Sequence, residues 1–466
     1  MIASAIELAW DGVPPSLRGP QVPARANEAQ PFVVPANATG SERGFVFGRM
    51  ISSDAWPEAL ERVDRVVAVP APSSPDTLPG RRVLEFESAK GERRVLCSRS
   101  EGAVHWSLDP RVWIQGLLDE RYVESWRRPL PSRIPVLNYA RLPHWVKGLL
   151  QQGTTRDEMW ANPSAAAFPF PELPLDDLVE TLRELCICLA HGGPVETRSP
   201  WPEGHGAALT VTHDVDTDWV LDPRRAPMLD RILEKEAAFG MRGAWYVTGA
   251  RLDPQRHRRA LERLAGAGHE IGPHGWNHDA KLEYLPRRRQ EARMRRIEKR
   301  FAGLAPRGIR TPWYCRSPGL FEVLGRHFAY DSSVPNASGF FSAGSNSGCC
   351  SLFPYAPGRA GTLYELPMTL PPDGFADLEA GYSSLRDIAE RVIDGGGVVV
   401  VTMHPQPHQS ANAEGLEHFF AFLEDLAGSA HLMDRSSAAR TRLWHATPGE
   451  IVARYHFAIT PPEETA

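Results

Sequence analysis

Along residues 1–190 short apolar runs alternate with stretches of helical spacing, whereas beyond residue 206 the apolar positions settle into a cycle of strand followed by helix. In the first part, runs at 44–47, 65–69 and 82–86 predict strands, and 56–63 and 110–126 predict helices. Together they make a small amino-terminal α/β domain whose topology and role the pattern leaves open. Leu175, Leu178, Val179, Leu182, Leu185, Cys186 and Leu189 follow helical spacing, with Asp176 and Asp177 in the first turn, where the helix dipole favours anions. That helix is expected to pack the first domain onto the second. Residues 191–206 replace periodicity with Gly, Pro and charge, and read as a linker.

From residue 207 a strand to Thr212 is followed by a helix over 226–239, a strand over 243–247 and a helix over 255–267. Further helices over 286–301, 319–326 and 385–393 and strands over 308–310 and 398–403 continue the cycle. Such alternation predicts an α/β fold with a parallel sheet or a β/α barrel across 207–460. In these folds the ligand site lies at the carboxyl ends of the strands.

Composition narrows the function little. Hydrophobic residues at 42% and charged residues at 23% describe an ordinary globular chain, and a net charge of -5 over 466 residues offers no general attraction to nucleic acid or a membrane surface. The 42 prolines point to long loops. The six cysteines form neither a disulfide framework nor a zinc-finger spacing. No run approaches the roughly 18 apolar residues of a membrane span. The opening residues lack a basic start and an apolar core of signal-peptide length, so a cytoplasmic location is expected.

The chemistry gathers at predicted strand ends. Asp214 and Asp216 are two apart, so both side chains leave on one face if the strand continues. One can hold a metal while the other acts on water, and the spacing does not say which. His274 and His278 are four apart, and Pro273 and Gly275 favour a turn that brings both imidazoles to one side. Arg310 ends another strand and His404 ends the run 398–403. A lone Asp-x-Asp is commonly a solvated cap and a lone His-x3-His a surface pair, so the weight rests on their joint occurrence. Trp276 can stack on a sugar ring or pack on the barrel rim. The basic run 287–300 reads as a solvated helix face or an anion-attracting one.

The segments THDVD, HGWNH, RTPWY, YDSSVP and VVVVTMHP, with a closing ATPGEI at 446–451, stand in an order and spacing that resemble the polysaccharide deacetylase family, also called NodB-like or carbohydrate esterase family 4. The resemblance covers about residues 205–458. It implies a distorted β/α barrel, a divalent metal, usually zinc, and hydrolytic removal of an acetyl group from an N-acetylated sugar or polysaccharide precursor. By motif, Asp216, His274 and His278 correspond to metal ligands, Asp214 to the general base and His404 to the general acid. Arg310 then orients Asp214, Asp331 holds His404, and the Trp313 backbone N–H donates to the oxyanion. This chain departs from the usual pattern at His213, where Phe is common, and at Gly275, where Ser or Thr is common. Ser333 and Val334 replace a frequent aromatic. Hydrolysis of another linear or cyclic C–N bond, a silent carbohydrate-binding module and a non-haem iron site are the competing readings. The spare carboxylate Asp214 and the acid His404 argue against the last two.

Overall fold

The computed structural model describes residues 32–33, 45–53, 64–70, most of 78–107, 110–118, 174–191 and 199–459, apart from 280, 336–350, 358–362, 377–381, 408 and 429–441. The helix expected over 56–63 lies outside the described residues.

The amino-terminal strands β1 (Phe32–Val33), β2 (Phe45–Ser52), β3 (Asp64–Pro70), β4 (Arg81–Ser88), β5 (Arg93–Ser100) and β6 (Ala103–Trp106) form a sheet in the order β1-β6-β5-β4-β2-β3. Its pairings are antiparallel except for β1 with β6. Among the described residues two helices follow, α1 (Pro110–Leu118) and α2 (Pro174–His191). Sequence pattern missed β5, because Arg93, Arg94 and Arg99 interrupt its apolar alternation, and β6, which is only 4 residues long.

Helix α2 reaches the second half of the chain. Its Asp176 accepts hydrogen bonds from the Ser351 hydroxyl at 2.7 Å and the Leu352 N–H at 2.6 Å. Leu175, Leu178, Leu182 and Leu185 are buried in the same apolar cluster as residues of both halves, as the helical spacing predicts.

Strand and helix then alternate through β7 (His205–Val215), α3 (Ala226–Ala238), β8 (Gly243–Val247), α4 (Arg258–Gly266), β9 (Glu270–Pro273), α5 (Arg287–Phe301), β10 (Gly308–Ile309) and α6 (Pro318–Leu324). The series ends with β11 (Tyr330–Asp331), β12 (Tyr364–Glu365), α7 (Tyr382–Asp394), β13 (Val398–Met403), α8 (Ala413–Gly428), β14 (Arg442–His445) and α9 (Pro448–Ile459). All these strand pairings are parallel.

Two sheets, β13-β7-β8-β9 and β10-β11-β12, join into a distorted β/α barrel. The Arg310 N–H donates to the Pro273 carbonyl at 3.1 Å, linking the ends of β9 and β10. On the far side the Thr369 hydroxyl donates to Val398 O at 2.7 Å and accepts from Val400 N at 2.9 Å, joining the segment after β12 to β13. The distortion sits at β7, whose one edge pairs first with β14 and then with β8.

The two-residue period of a strand sorts the side chains of β7. Ala208 lies with Ala244, Tyr246, Val398 and Val400 in an inner cluster, while Leu209, Val211 and Val215 join the outer core under the helices. Thr212 and Asp214 continue the inner column to the carboxyl end, which places polar groups there by register alone. The closing segment is explained as well. Thr447 and Glu450 form a capping box at the start of α9, and buried-side Glu270 of β9 accepts from the Gly449 N–H at 2.9 Å and from the Thr447 hydroxyl.

Burial raises the Asp176 carboxyl from 3.8 to about 7, although the Leu352 N–H and Ser351 hydroxyl pull the other way. The folded chain therefore binds a proton there that the unfolded chain has lost, so stability falls as pH rises from about 4 to about 7 and levels above. Asn can keep both contacts, accepting from Leu352 and donating to the Ser351 oxygen. Asp176→Asn is expected to flatten this slope and to be the more stable form above pH 7, read as urea midpoints across the range. Equal slopes for the two proteins count against the assignment.

Candidate active site

Asp216, one residue beyond β7, is buried, and its Oδ1 lies 3.1 Å from His278 Nε2 and 3.4 Å from His274 Nε2. One donor atom from each of these three residues falls within 4.8 Å of the others, the only such group of three His, Cys or acidic residues among the described residues. His274 sits at the end of β9 and its Nδ1 lies 3.0 Å from the Arg310 carbonyl. That carbonyl can only accept, so Nδ1 carries the proton and Nε2 keeps its lone pair toward Asp216. Burial holds His278 below its ordinary pKa despite Asp216, which favours the neutral, ligating imidazole. Burial would raise the Asp216 carboxyl, but His278 and His274 outweigh it and hold it well below the usual carboxylate range. Among the described residues Asp216 Oδ1 has no partner of hydrogen-bond geometry. Three buried donors converging on one point, with nothing between them to satisfy the oxygen, fit a divalent cation.

The turn between the histidines depends on Gly275. Its φ is 62°, and a Cβ there would stand 2.6 Å from Pro312 Cδ. A residue with a side chain at this position is excluded by space as well as by backbone conformation, which accounts for the departure at Gly275.

Asp214 ends the inner column of β7. Its Oδ1 accepts from Arg310 Nη1 at 3.0 Å, both side chains being fully buried. Burial would raise this carboxyl, but Arg310 outweighs it and the net shift is downward, so Asp214 is ionised at neutral pH. Its Oδ2 has no hydrogen-bond partner among the described residues and faces His404 Nε2 at 3.8 Å.

His404 requires a correction. Asp331, expected behind it, instead accepts from the Ser333 hydroxyl at 2.7 Å and faces Glu365. Burial raises both carboxyls; the Asp331 charge adds to the rise at Glu365, whereas the hydrogen bond with Glu365 draws Asp331 back down. The group behind His404 is Asp373, whose Oδ2 lies 2.6 Å from His404 Nδ1 and whose Oδ1 accepts from the His404 N–H at 2.9 Å and from the Ser410 hydroxyl. Burial would lower the imidazole, but Asp373 raises it to about 10, with Asp216 and Asp214 adding to the effect. Sequence reasoning missed Asp373 because it lies in a loop 31 residues before His404, with no periodic element to orient it. The one local cue is Asp373-Gly374 after two prolines, a turn signal.

Of the remaining candidates, Trp313 is placed beside the site, its ring 5.4 Å from His278. Trp313 and Tyr314 both have left-handed backbone, φ 59° and 51°, a conformation that costs non-glycine residues about 1–2 kcal/mol each. Trp276 is not open for sugar stacking on the covered face. The Arg296 guanidinium lies 4.1 Å over its ring, with that of Arg300 at 5.4 Å, which favours the packing reading. Ser333 and Val334 are wholly buried, Ser333 tied to Asp331 and to Thr311 N, so neither forms a wall of the groove. His213 points to the outer face, where Nε2 meets Glu236 at 2.7 Å and the ring stacks on Trp245 at 4.0 Å.

Against known proteins, residues 208–322 match the sequence profile of the polysaccharide deacetylase family. The peptidoglycan deacetylase of Helicobacter pylori is 23% identical over 151 residues, 32% of this chain and 50% of that protein, so the chain spans half the length of this relative. Among solved structures, a Mycobacterium smegmatis protein described as a polysaccharide deacetylase is 20% identical with a TM-score of 0.41, over 58% of this chain and 95% of its own. A PuuE allantoinase is 16% identical with a TM-score of 0.40, over 57% and 96%.

The donor set carries a prediction. Purified protein is expected to hold about one divalent ion per chain, and His278→Ala to lose it, by elemental analysis. Equal metal in both proteins would rule out the Asp216, His274 and His278 set.

Proposed function

We propose, from the match of residues 208–322 to the profile of the polysaccharide deacetylase family, that this chain is a metal-dependent hydrolase that removes the acetyl group of an N-acetylated sugar or polysaccharide precursor. The observation that carries this reading is the pairing of Asp214 Oδ2 with His404 Nε2, 3.8 Å apart at the mouth of the barrel and beside the Asp216, His274 and His278 donors. Two imidazole nitrogens and one carboxylate oxygen suit zinc best. When bound, such an ion would polarise the acetyl carbonyl and make a water acidic enough to attack near neutral pH.

The protein's own groups supply the proton movements. Asp214, kept ionised by Arg310, takes a proton from the attacking water through Oδ2, since Oδ1 is held by the guanidinium. His404, protonated at both nitrogens below about 10, gives the Nε2 proton to the departing amine. Asp373 holds the Nδ1 proton, so Nε2 alone is aimed at substrate. The Trp313 backbone N–H is proposed to donate to the developing oxyanion, and the left-handed pair Trp313 and Tyr314 gives a strained turn of the kind that presents such a donor.

Asp214→Asn is expected to keep metal and fold while losing about 10² to 10⁴ in rate of acetate release, and His404→Ala a similar factor. Acetate is measured on N-acetylated mono- and oligosaccharides for all three proteins. A wild type that binds these glycans without releasing acetate points to a silent binding module, and undiminished release by Asp214→Asn overturns the assigned base.

A pH profile tests Asp373 separately. The acid must be protonated, so activity falls as pH rises through the His404 pKa. Asp373→Asn removes the main raising charge and is expected to move the alkaline limb of kcat toward the ordinary histidine value of about 6.5. An unmoved limb would remove His404 from the role of acid.

A further inference from the structure

Helix α5 carries seven arginines and one lysine against two glutamates, in a chain whose net charge is -5. Its buried side is Gln290, Met294, Ile297 and Phe301. The flank on one side is neutralised: Arg287 pairs with Glu322, Glu291 with Arg326 and His327, and Glu298 with His327. The flank on the other side packs on the loop that carries both site histidines. There Arg293 pairs with Asp279, the residue after His278, while Arg296 and Arg300 lie over Trp276. Between these flanks the outer arc is exposed, and Arg288, Arg289, Arg295 and Lys299 have no ion-pair partner among the described residues.

A solvated helix normally mixes both signs along its outer face, whereas this arc is cationic throughout, over about 16 Å from Arg288 to Lys299. Of these, Arg295 and Lys299 stand at i,i+4, where like charges repel, so an anion lying along the arc gains both attraction and relief of that repulsion. Packing of the flank against the histidine loop fixes the arc beside the mouth of the site.

We infer that this arc of α5 is a docking surface for an anionic polysaccharide, and that the acetylated chain entering the site carries carboxylates or similar anions that lie across it. The substrate part of this inference rests on the hydrolase reading, while the surface itself does not. A polysaccharide is favoured over nucleic acid because the arc is continuous with the loop of the metal donors and the rest of the chain is acidic.

Binding of hyaluronan oligosaccharides, which bear a carboxylate on every N-acetylated disaccharide, is compared with that of neutral chitin oligosaccharides of equal length and of duplex DNA. Titrations run from low to physiological salt. Wild type is expected to prefer hyaluronan, with a preference that fades as salt rises. The quadruple change Arg288→Gln, Arg289→Gln, Arg295→Gln and Lys299→Gln is expected to weaken hyaluronan binding about 10- to 100-fold at low salt. Metal content and melting temperature check its fold, and the pair Arg295→Gln and Lys299→Gln serves as a milder variant with an intermediate loss. Equal binding of charged and neutral glycans, or unchanged binding by the variants, overturns the surface. Tighter binding of DNA than of hyaluronan overturns the glycan and assigns the arc to nucleic acid. Binding is read without turnover, so absence of acetate release sinks the hydrolase alone, and loss of the hyaluronan preference sinks the surface alone.

Discussion

A single buried guanidinium organises the carboxyl end of the barrel. Arg310 donates from Nη1 to Asp214 Oδ1 at 3.0 Å and to the hydroxyls of Thr212 at 2.8 Å and Thr402 at 3.3 Å. Its Nε and Nη2 reach the carbonyl and hydroxyl of Ser332 at 2.6 and 2.8 Å, and its face lies 4.7 Å over Tyr246. These contacts touch β7, β8, β13 and the end of β11, while its own backbone joins β9 to β10. Removing one member of a fully buried pair of this kind typically costs about 3–5 kcal/mol, because the other charge is left without compensation. The same residue serves the site twice: the side chain keeps Asp214 ionised and aimed, and the carbonyl fixes the tautomer of His274.

Around that cation the barrel gathers several acids, four of them buried, each with a different answer to desolvation. Asp214 is compensated by Arg310 and Asp216 by two imidazoles. Asp373 pairs with His404 and Ser410. Asp331 and Glu365 lie against each other, Glu365 being raised by burial and by the Asp331 charge, with Ser333 N and Val334 N donating to Glu365 Oε1 at 2.8 Å. The pair therefore braces the wall that presents Ser332 to Arg310, at a distance from the reacting groups. Two acids on neighbouring strand ends thus have opposite roles, decided by which cation or hydroxyl lies opposite.

The outer face of β7 shows the same rule in a region without a proposed reaction. His213 occupies a position where a phenyl ring is common in relatives of the motif, and it keeps the stacking part of that role against Trp245. Its polar edge is met by Glu236 from α3, and Glu236 Oε2 in turn lies 3.5 Å from His269. An imidazole can replace an aromatic in a core only where another element supplies such a partner.

Local sequence was enough for β7, β8, β10, β13 and helices α3 to α7, whose apolar positions keep a strand or helix period, but not for β9, β11, β12, β14, α8 and α9. The convergence of Asp216, His274 and His278 was implied by the family resemblance, since spacing alone left Asp214 and Asp216 equivalent. The five motifs in order carried the family resemblance. What the chain alone did not reveal were relations between residues far apart along it. Asp373 rather than Asp331 stands behind His404, and Trp276 lies under arginines rather than open to a sugar. Strand β5, with arginines at both ends, is likewise held by its antiparallel partners β4 and β6 rather than by its own sequence. Each of these depends on which loop or strand arrives opposite a given side chain, and that is set by closure of the barrel and sheet, where pairing across the fold outweighs local propensity.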